Sequence, residues 1–333
     1  MRRRDFITLL GGGAAVLPAL APRIATAQQR EQKRRVAVLM GGLKTDDAAG
    51  QSEVAALEDG LKDLGWKPGD NIVLDYHWPG AELEAVQAAA KAVVSSRPDL
   101  VISRSTPATA AVASSGLPVV FVLVVDPLGS GFVQTLGRPG YNLTGFSNFE
   151  ASVGGKWLGL LHEAAPGVSR VAVLFNPTTA PFASGYLISA QAAAAALGVT
   201  VVAASCSKAD DIENAFGTLA RESGGGLIAI TDTFLVEHRD LIVGLAARNR
   251  LPAIYGSGIF MAAGGLMAYS ADYPDIYHRA AGYVDRILHG ARPAELPVQE
   301  PAKFNLSISL KTARAMGLAL PQSLVSQAND VIE

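Results

Sequence analysis

The sequence predicts an α/β fold made of two doubly wound parallel-sheet lobes joined by a hinge of three crossovers. Three observations predict it. Short apolar, β-branched runs alternate with alanine-rich stretches of helical period, the grammar of right-handed βαβ units. The two halves of the chain repeat that grammar separately. The length, 333 residues, exceeds what one hydrophobic core usually organises.

In the first half, strands are predicted at residues 36–40, 72–76, 100–103 and 118–125, interleaved with helices at 52–64, 81–95 and 108–114. The run from Leu117 to Val125 is too short to span a membrane and reads as a strand buried on both faces. The second half opens with a helix at 158–164. Strands at 171–175, 200–203, 227–230 and 252–255 then alternate with helices at 184–197, 209–221 and 236–249. Helices in both halves end on Leu-Gly, at Leu64-Gly65 and Leu197-Gly198, where glycine takes a left-handed cap. Gly116-Leu117-Pro118-Val119-Val120 is answered by Arg250-Leu251-Pro252-Ala253-Ile254. No repeat of 20–50 residues is evident, so a solenoid is excluded.

Two short extended segments, 145–148 and 267–270, read as joints. An amphipathic helix at 276–289 returns the chain to lobe one, and a third crossing near 304–308 sends it back. Lobe one is then 33–146 plus 270–300, and lobe two is 147–269 plus 304–333.

The N-terminus reads as an export signal spanning 1–27. Arg2-Arg3-Arg4 precedes Asp5-Phe6-Ile7, an apolar glycine-rich stretch follows, and Ala25-Thr26-Ala27 makes a small-x-small cleavage site. This fits the twin-arginine subclass, with cleavage near Ala27 and a periplasmic destination. From the formal −2 of the whole chain, removing four arginines and one aspartate leaves −5. A mildly acidic chain without basic blocks is not a nucleic-acid binder. The single cysteine, Cys206, allows no internal disulfide and reads as a small strand residue. No Walker loop, nucleophile elbow or zinc-protease motif is present, and the five histidines are scattered, so neither cofactor nor metal is expected.

In open parallel sheets ligands bind beyond the carboxyl ends of the strands, at the switch point. After the first strand, Met40 and Gly41 allow close backbone approach. Ser105 and Thr106 follow the third strand and offer hydroxyls for a carboxylate or a cap for the next helix. Asp126 follows the fourth strand and Asp232 ends a strand of the second half. Each suits an ammonium group or caps a turn. Asn176 ends another strand. Tyr186, Tyr255, Tyr269 and Phe149 fall near the same rim, where they would stack on a ligand or pack.

Leu61-x-x-Leu64-Gly65-Trp66, Ser105-Thr106-Pro107-Ala108, Val125-Asp126-Pro127-Leu128-Gly129, Asn142-Leu143-Thr144-Gly145-Phe146, Phe175-Asn176-Pro177, Gly264-Gly265-Leu266-Met267 and Leu310-Lys311-Thr312-Ala313 together carry a resemblance. Over nearly its whole length beyond the signal, the chain resembles the ABC-transporter substrate-binding proteins of the tryptophan/tyrosine type. The resemblance implies a type I periplasmic binding protein fold, no catalysis, and loops at Thr106, Asp126, Asn176 and Asp232 that face the ligand. Val125 stands where relatives that bind aromatic amino acids often carry a hydroxyl residue. The expected function is the solute-binding component of an ABC importer, monomeric, presenting an amino acid or related carboxylate to an inner-membrane ABC permease. A periplasmic sensor feeding a signalling receptor and a two-lobe racemase or lyase using Cys206 or paired acids are the alternatives.

Overall fold

The computed structural model describes residues 33–148, 150–221 and 223–333. The export-signal reading of 1–27 and the rim position of Phe149 lie outside these residues. No described helix is long and apolar enough to cross a membrane.

The first sheet is wholly parallel and has the order β2-β1-β3-β4-β5. Its strands are β1 (Arg34–Gly41), β2 (Ile72–Gly80), β3 (Leu100–Arg104), β4 (Val119–Val124) and β5 (Leu143–Ser147). Helices α1 (Ala48–Asp63), α2 (Leu83–Ser96) and α3 (Thr106–Val112) make its crossovers. Both faces are covered. Along β1, Val36, Val38 and Met40 enter one apolar cluster, while Ala37 and Leu39 enter another. That is why the strands read as continuous apolar runs.

The second sheet has the order β12-β11-β10-β9-β8-β6-β7. Its strands in chain order are β6 (Arg170–Phe175), β7 (Thr200–Ser205), β8 (Gly225–Ala229), β9 (Ala253–Tyr255), β10 (Met267–Ala271), β11 (Phe304–Ser309) and β12 (Asp330–Ile332). All neighbours are parallel except β10 and β11. Helices α4 (Val153–Ala164), α5 (Ala183–Leu197), α6 (Ala209–Leu219), α7 (Thr233–Glu237) and α8 (Arg239–Arg248) accompany it. So do α9 (Ile259–Ala262), α11 (Leu310–Met316) and α12 (Gln322–Gln327). Helix α10 (Tyr273–Leu288) leaves this sheet and packs along α1. The contact is close: a Cβ on Gly60 would lie 2.7 Å from the His278 carbonyl oxygen.

Three local readings are corrected. The segments taken as joints fall almost wholly within strands, β5 at the edge of its sheet and β10 between β9 and β11, and the chain crosses just beyond them. Helix α4 begins at Val153, not 158. Its glycines lower helix propensity, but they serve packing: a Cβ on Gly154 would lie 2.2 Å from the Tyr186 carbonyl oxygen. The helix expected at 236–249 is two helices that meet at His238. The His238 ring packs on Phe234 in a tilted arrangement with centroids 4.3 Å apart, and its Nδ1 lies 2.9 Å from the Phe234 carbonyl oxygen.

Candidate functional site

Strand order reverses beside β1 in the first sheet and beside β6 in the second. The carboxyl ends of the strands at both switch points border one cavity, partly open to solvent, with about 420 Å³ of atom-free space. The first lobe supplies Arg104, Ser105, Thr106, Pro107, Leu123 and Val125, and Asn148 follows on the crossing after β5. The second lobe supplies Thr179, Phe182, Thr231, Asp232, Thr233, Val236 and Ser257. Tyr273, the first residue of α10, completes the wall.

Arg104 ends β3 and is only 6% exposed. Its Nε donates to Glu53 Oε2 at 2.8 Å, and its terminal nitrogens donate to Glu53 Oε1 at 3.3 Å and to the Gly41 carbonyl at 3.0 Å. Burial alone would lower its pKa. The charge of Glu53, then Tyr277, outweighs this, and the guanidinium is held above its usual value. Of its five N–H groups, these bonds leave two for the cavity.

The backbone around the cavity is strained. Ser105 has φ 79° and ψ 157°, a region almost reserved for glycine that costs ~1–3 kcal/mol. Leu123, at φ 55°, sits where the β4–β5 register shifts. This bulge re-aims one side chain, here into the cavity.

Asp232 is 3% exposed. It accepts from the Asn176 N–H at 2.6 Å, the Phe234 N–H at 2.9 Å and the Thr179 hydroxyl at 2.5 Å. It therefore caps α7 and ties the loop after β6 to the loop after β8. Burial raises its carboxyl above the ordinary value, and these hydrogen bonds pull against that rise.

Four buried polar atoms that border the cavity have no hydrogen-bond partner: Ser105 Oγ, Asn148 Oδ1, Thr233 Oγ1 and Tyr273 Oη. Burial raises the pKa of the Tyr273 hydroxyl, and the Arg104 charge, then Thr231, Ser257 and Asn148 beside it, restrain that rise, but no bond of good geometry satisfies it. Only two further atoms of this kind, both imidazole nitrogens, occur elsewhere among the described residues. An orphaned buried group costs ~1–3 kcal/mol, so their concentration here marks the place where a ligand would supply the partners.

Of the residues singled out in sequence, Ser105, Thr106 and Asp232 meet at this cavity. The others stand apart from it. Met40 is buried and receives the Tyr277 hydroxyl on its sulfur at 3.5 Å. Gly41 packs under Ala108: a Cβ there would lie 2.7 Å from the Ala108 Cβ. Asp126, at φ 47°, accepts from the Gly129 N–H at 2.8 Å and holds its own turn. Asn176 Oδ1 accepts from the Thr178 N–H at 2.8 Å. Tyr186 packs on Trp157 at 4.8 Å, Tyr255 stacks on Phe260 at 4.6 Å, and Tyr269 stacks on Phe304 at 5.5 Å. Cys206 is buried past the end of β7, its thiol pushed up to about 12 by burial and then by Asp211 and Asp232. It does not line the cavity. Sequence reasoning missed Arg104, Asn148 and Tyr273 as cavity residues. Arg104 lay inside the right loop, and its partner Glu53, 51 positions away, left no local signal.

The loop after β1 meets α7 and α8 across the cleft. Arg239 donates to Asp47 at 2.7 Å, and Lys44 lies 4.0 Å from Glu237. Among the described residues, no group of three or more His, Cys, Asp or Glu could hold a metal ion.

Two α/β lobes that border a shared, largely apolar cavity with unpaired hydrogen-bonding groups at its edge define a two-lobed substrate-binding protein. The profile of one such family, ABC transporter substrate binding protein, matches residues 45–332, and the chain belongs to it. A tyrosine-binding protein of Clostridioides difficile is 26% identical over 260 residues, 78% of this chain and 74% of that protein. A conserved domain protein from Vibrio cholerae superposes with a TM-score of 0.81 at 26% identity, covering 90% of this chain and 100% of that one. The ABC domain from Streptococcus pneumoniae in complex with L-Trp gives the same score and coverage at 22% identity, a likeness of fold.

Proposed function

We propose that the protein is the extracytoplasmic solute-binding component of an ABC importer and that its cargo is an amino acid or a closely related carboxylate. One observation carries the reading. Among the described residues that line the cavity, Arg104 is the one base and Asp232 the one acid, and they come from opposite lobes. A zwitterion matches that polarity. Ser105, Thr106 and the free N–H groups of Arg104 hold the carboxylate end. Leu123, Val125, Phe182 and Val236 form the apolar wall for a side chain. The tyrosine named for the curated relative and the L-Trp of the solved complex support the same class.

The lobes part to admit cargo and close over it, and a ligand that touches both shifts the population to the closed form. The closed protein, exported by its N-terminal signal and acting as a monomer in the periplasm, delivers cargo to an inner-membrane permease. A racemase or lyase reading built on Cys206 places its nucleophile outside the cavity lining, and one built on paired acids finds Asp232 alone there among the described residues.

Thermal unfolding of the purified protein against amino acids, small carboxylates and sugars tests the reading. A ligand at ~100 times its dissociation constant adds about 2.7 kcal/mol, which raises Tm by several degrees. A rise with amino acids or carboxylates is expected. A response confined to sugars overturns the proposal.

A further inference from the structure

We infer that Asn148 and Tyr273, on two of the segments that join the lobes, form with Thr231 the subsite for the ammonium group of an amino-acid cargo. The inference rests on the amino-acid reading above and deepens it.

Asp232 is the obvious candidate for that role, but its oxygens already receive three donors from its own lobe. Its charge favours a cation in the cavity, while its hydrogen bonds are nearly filled. Asn148 is in the opposite condition. It is 8% exposed, it follows β5 directly, and its N–H donates to the Val124 carbonyl. This backbone bond holds the residue in place while its Oδ1 stays unpartnered.

An amide oxygen only accepts. A carboxylate, which brings no donor, leaves Asn148 Oδ1 unsatisfied, whereas an ammonium brings three donors. Tyr273 Oη, which also lacks a bond of good geometry, is a second acceptor beside Asn148, Thr231 and Ser257, within the field of Arg104. Thr231 spends its own hydrogen on the Gly256 carbonyl at 2.7 Å, so its oxygen is left to accept. Three acceptors for three N–H groups thus gather at one end of the cavity, and Asp232, the next residue along, supplies the compensating charge.

Isothermal titration calorimetry with L-tyrosine, L-tryptophan and L-leucine, each against its deaminated counterpart, tests the assignment. The counterparts are 3-(4-hydroxyphenyl)propionate, indole-3-propionate and 4-methylpentanoate. The amino acids bind the wild-type protein at least tenfold more tightly than the deaminated acids. Asn148→Ala and Tyr273→Phe each cost at least tenfold for the amino acids and leave the deaminated acids unchanged, while Asn148→Asp retains amino-acid binding. Circular dichroism and thermal unfolding of each ligand-free variant exclude a folding defect, and Tyr273→Phe keeps the ring that packs there. Equal binding of amino acid and deaminated acid, or equal losses for both, overturns the subsite and leaves the carboxylate reading standing. Binding of neither class overturns that reading and the subsite with it.

Discussion

Asp232 has two tasks that pull in opposite directions. As a cap it must be ionised and surrounded by N–H and O–H donors, and as a buried group it resists ionisation. The first task binds it to Asn176, Thr179 and Phe234 and fixes the floor of the cavity. Asp232→Ala removes a helix cap and two loop ties. We expect a stability loss of about 2 kcal/mol in urea unfolding, together with more than tenfold weaker binding of amino-acid cargo. A variant of unchanged stability would refute the tie between the loops. Single residues also mark the limit of what the sequence discloses. Ser105, Thr106 and Asp232 were legible because strand ends at a switch point are where ligands bind. Tyr255 and Tyr269 lie within strands and were plausible for the same reason, whereas Tyr186 lies in α5. A ring buries ~150–250 Å², and the core around Trp157, Phe260 and Phe304 holds these three away from the cavity. Asn148 and Tyr273 lay beyond reach because their meeting depends on how the crossings fold together.

At the scale of elements, the loop between β1 and α1 acts on the second lobe. Asp47, the residue before α1, pairs with Arg239, the first residue of α8, and this pair exists only while the lobes are together. Partly exposed pairs contribute up to about 1 kcal/mol. Arg239→Ala should therefore weaken cargo affinity by two- to fivefold and increase the radius of gyration of the ligand-free protein in X-ray scattering. An unaltered radius and affinity would remove the pair from the closing equilibrium. Most elements were legible because period and composition agree with packing in the interior of each lobe. The exceptions have local causes. Glycines in α4 weaken the helical pattern yet permit contact with α5, and the break at His238 comes from a side chain that bonds its own helix.

Across the whole molecule, several tyrosines titrate only when it unfolds. Burial raises Tyr186, Tyr255, Tyr273 and Tyr277 above the ordinary phenol value. The folded protein keeps these protons after the unfolded chain has lost them. The tyrosines therefore leave stability unchanged through neutrality and lower it as pH rises above about 10. Denaturant midpoints that fall beyond pH 10, with tyrosinate absorbance from these residues appearing only on unfolding, are the expected result. Tyrosinate formed at pH 10 without loss of structure would contradict it. The two-lobe plan was readable because each half repeats the same alternation. The antiparallel turn of β11 against β10 was not, since the sense of a strand depends on which edge the chain returns to.

The cavity takes its lining from both lobes, so a cargo that bridges them leaves as the lobes separate, whatever the cargo is. Arrival meets the open protein and depends on encounter, which varies little among small solutes. Dwell time then carries the differences between cargoes: a poor cargo is one released early, not one admitted late. Stopped-flow fluorescence should find similar association rates across cargoes whose dissociation rates span the range of their affinities. Selection in such a protein takes place on the way out.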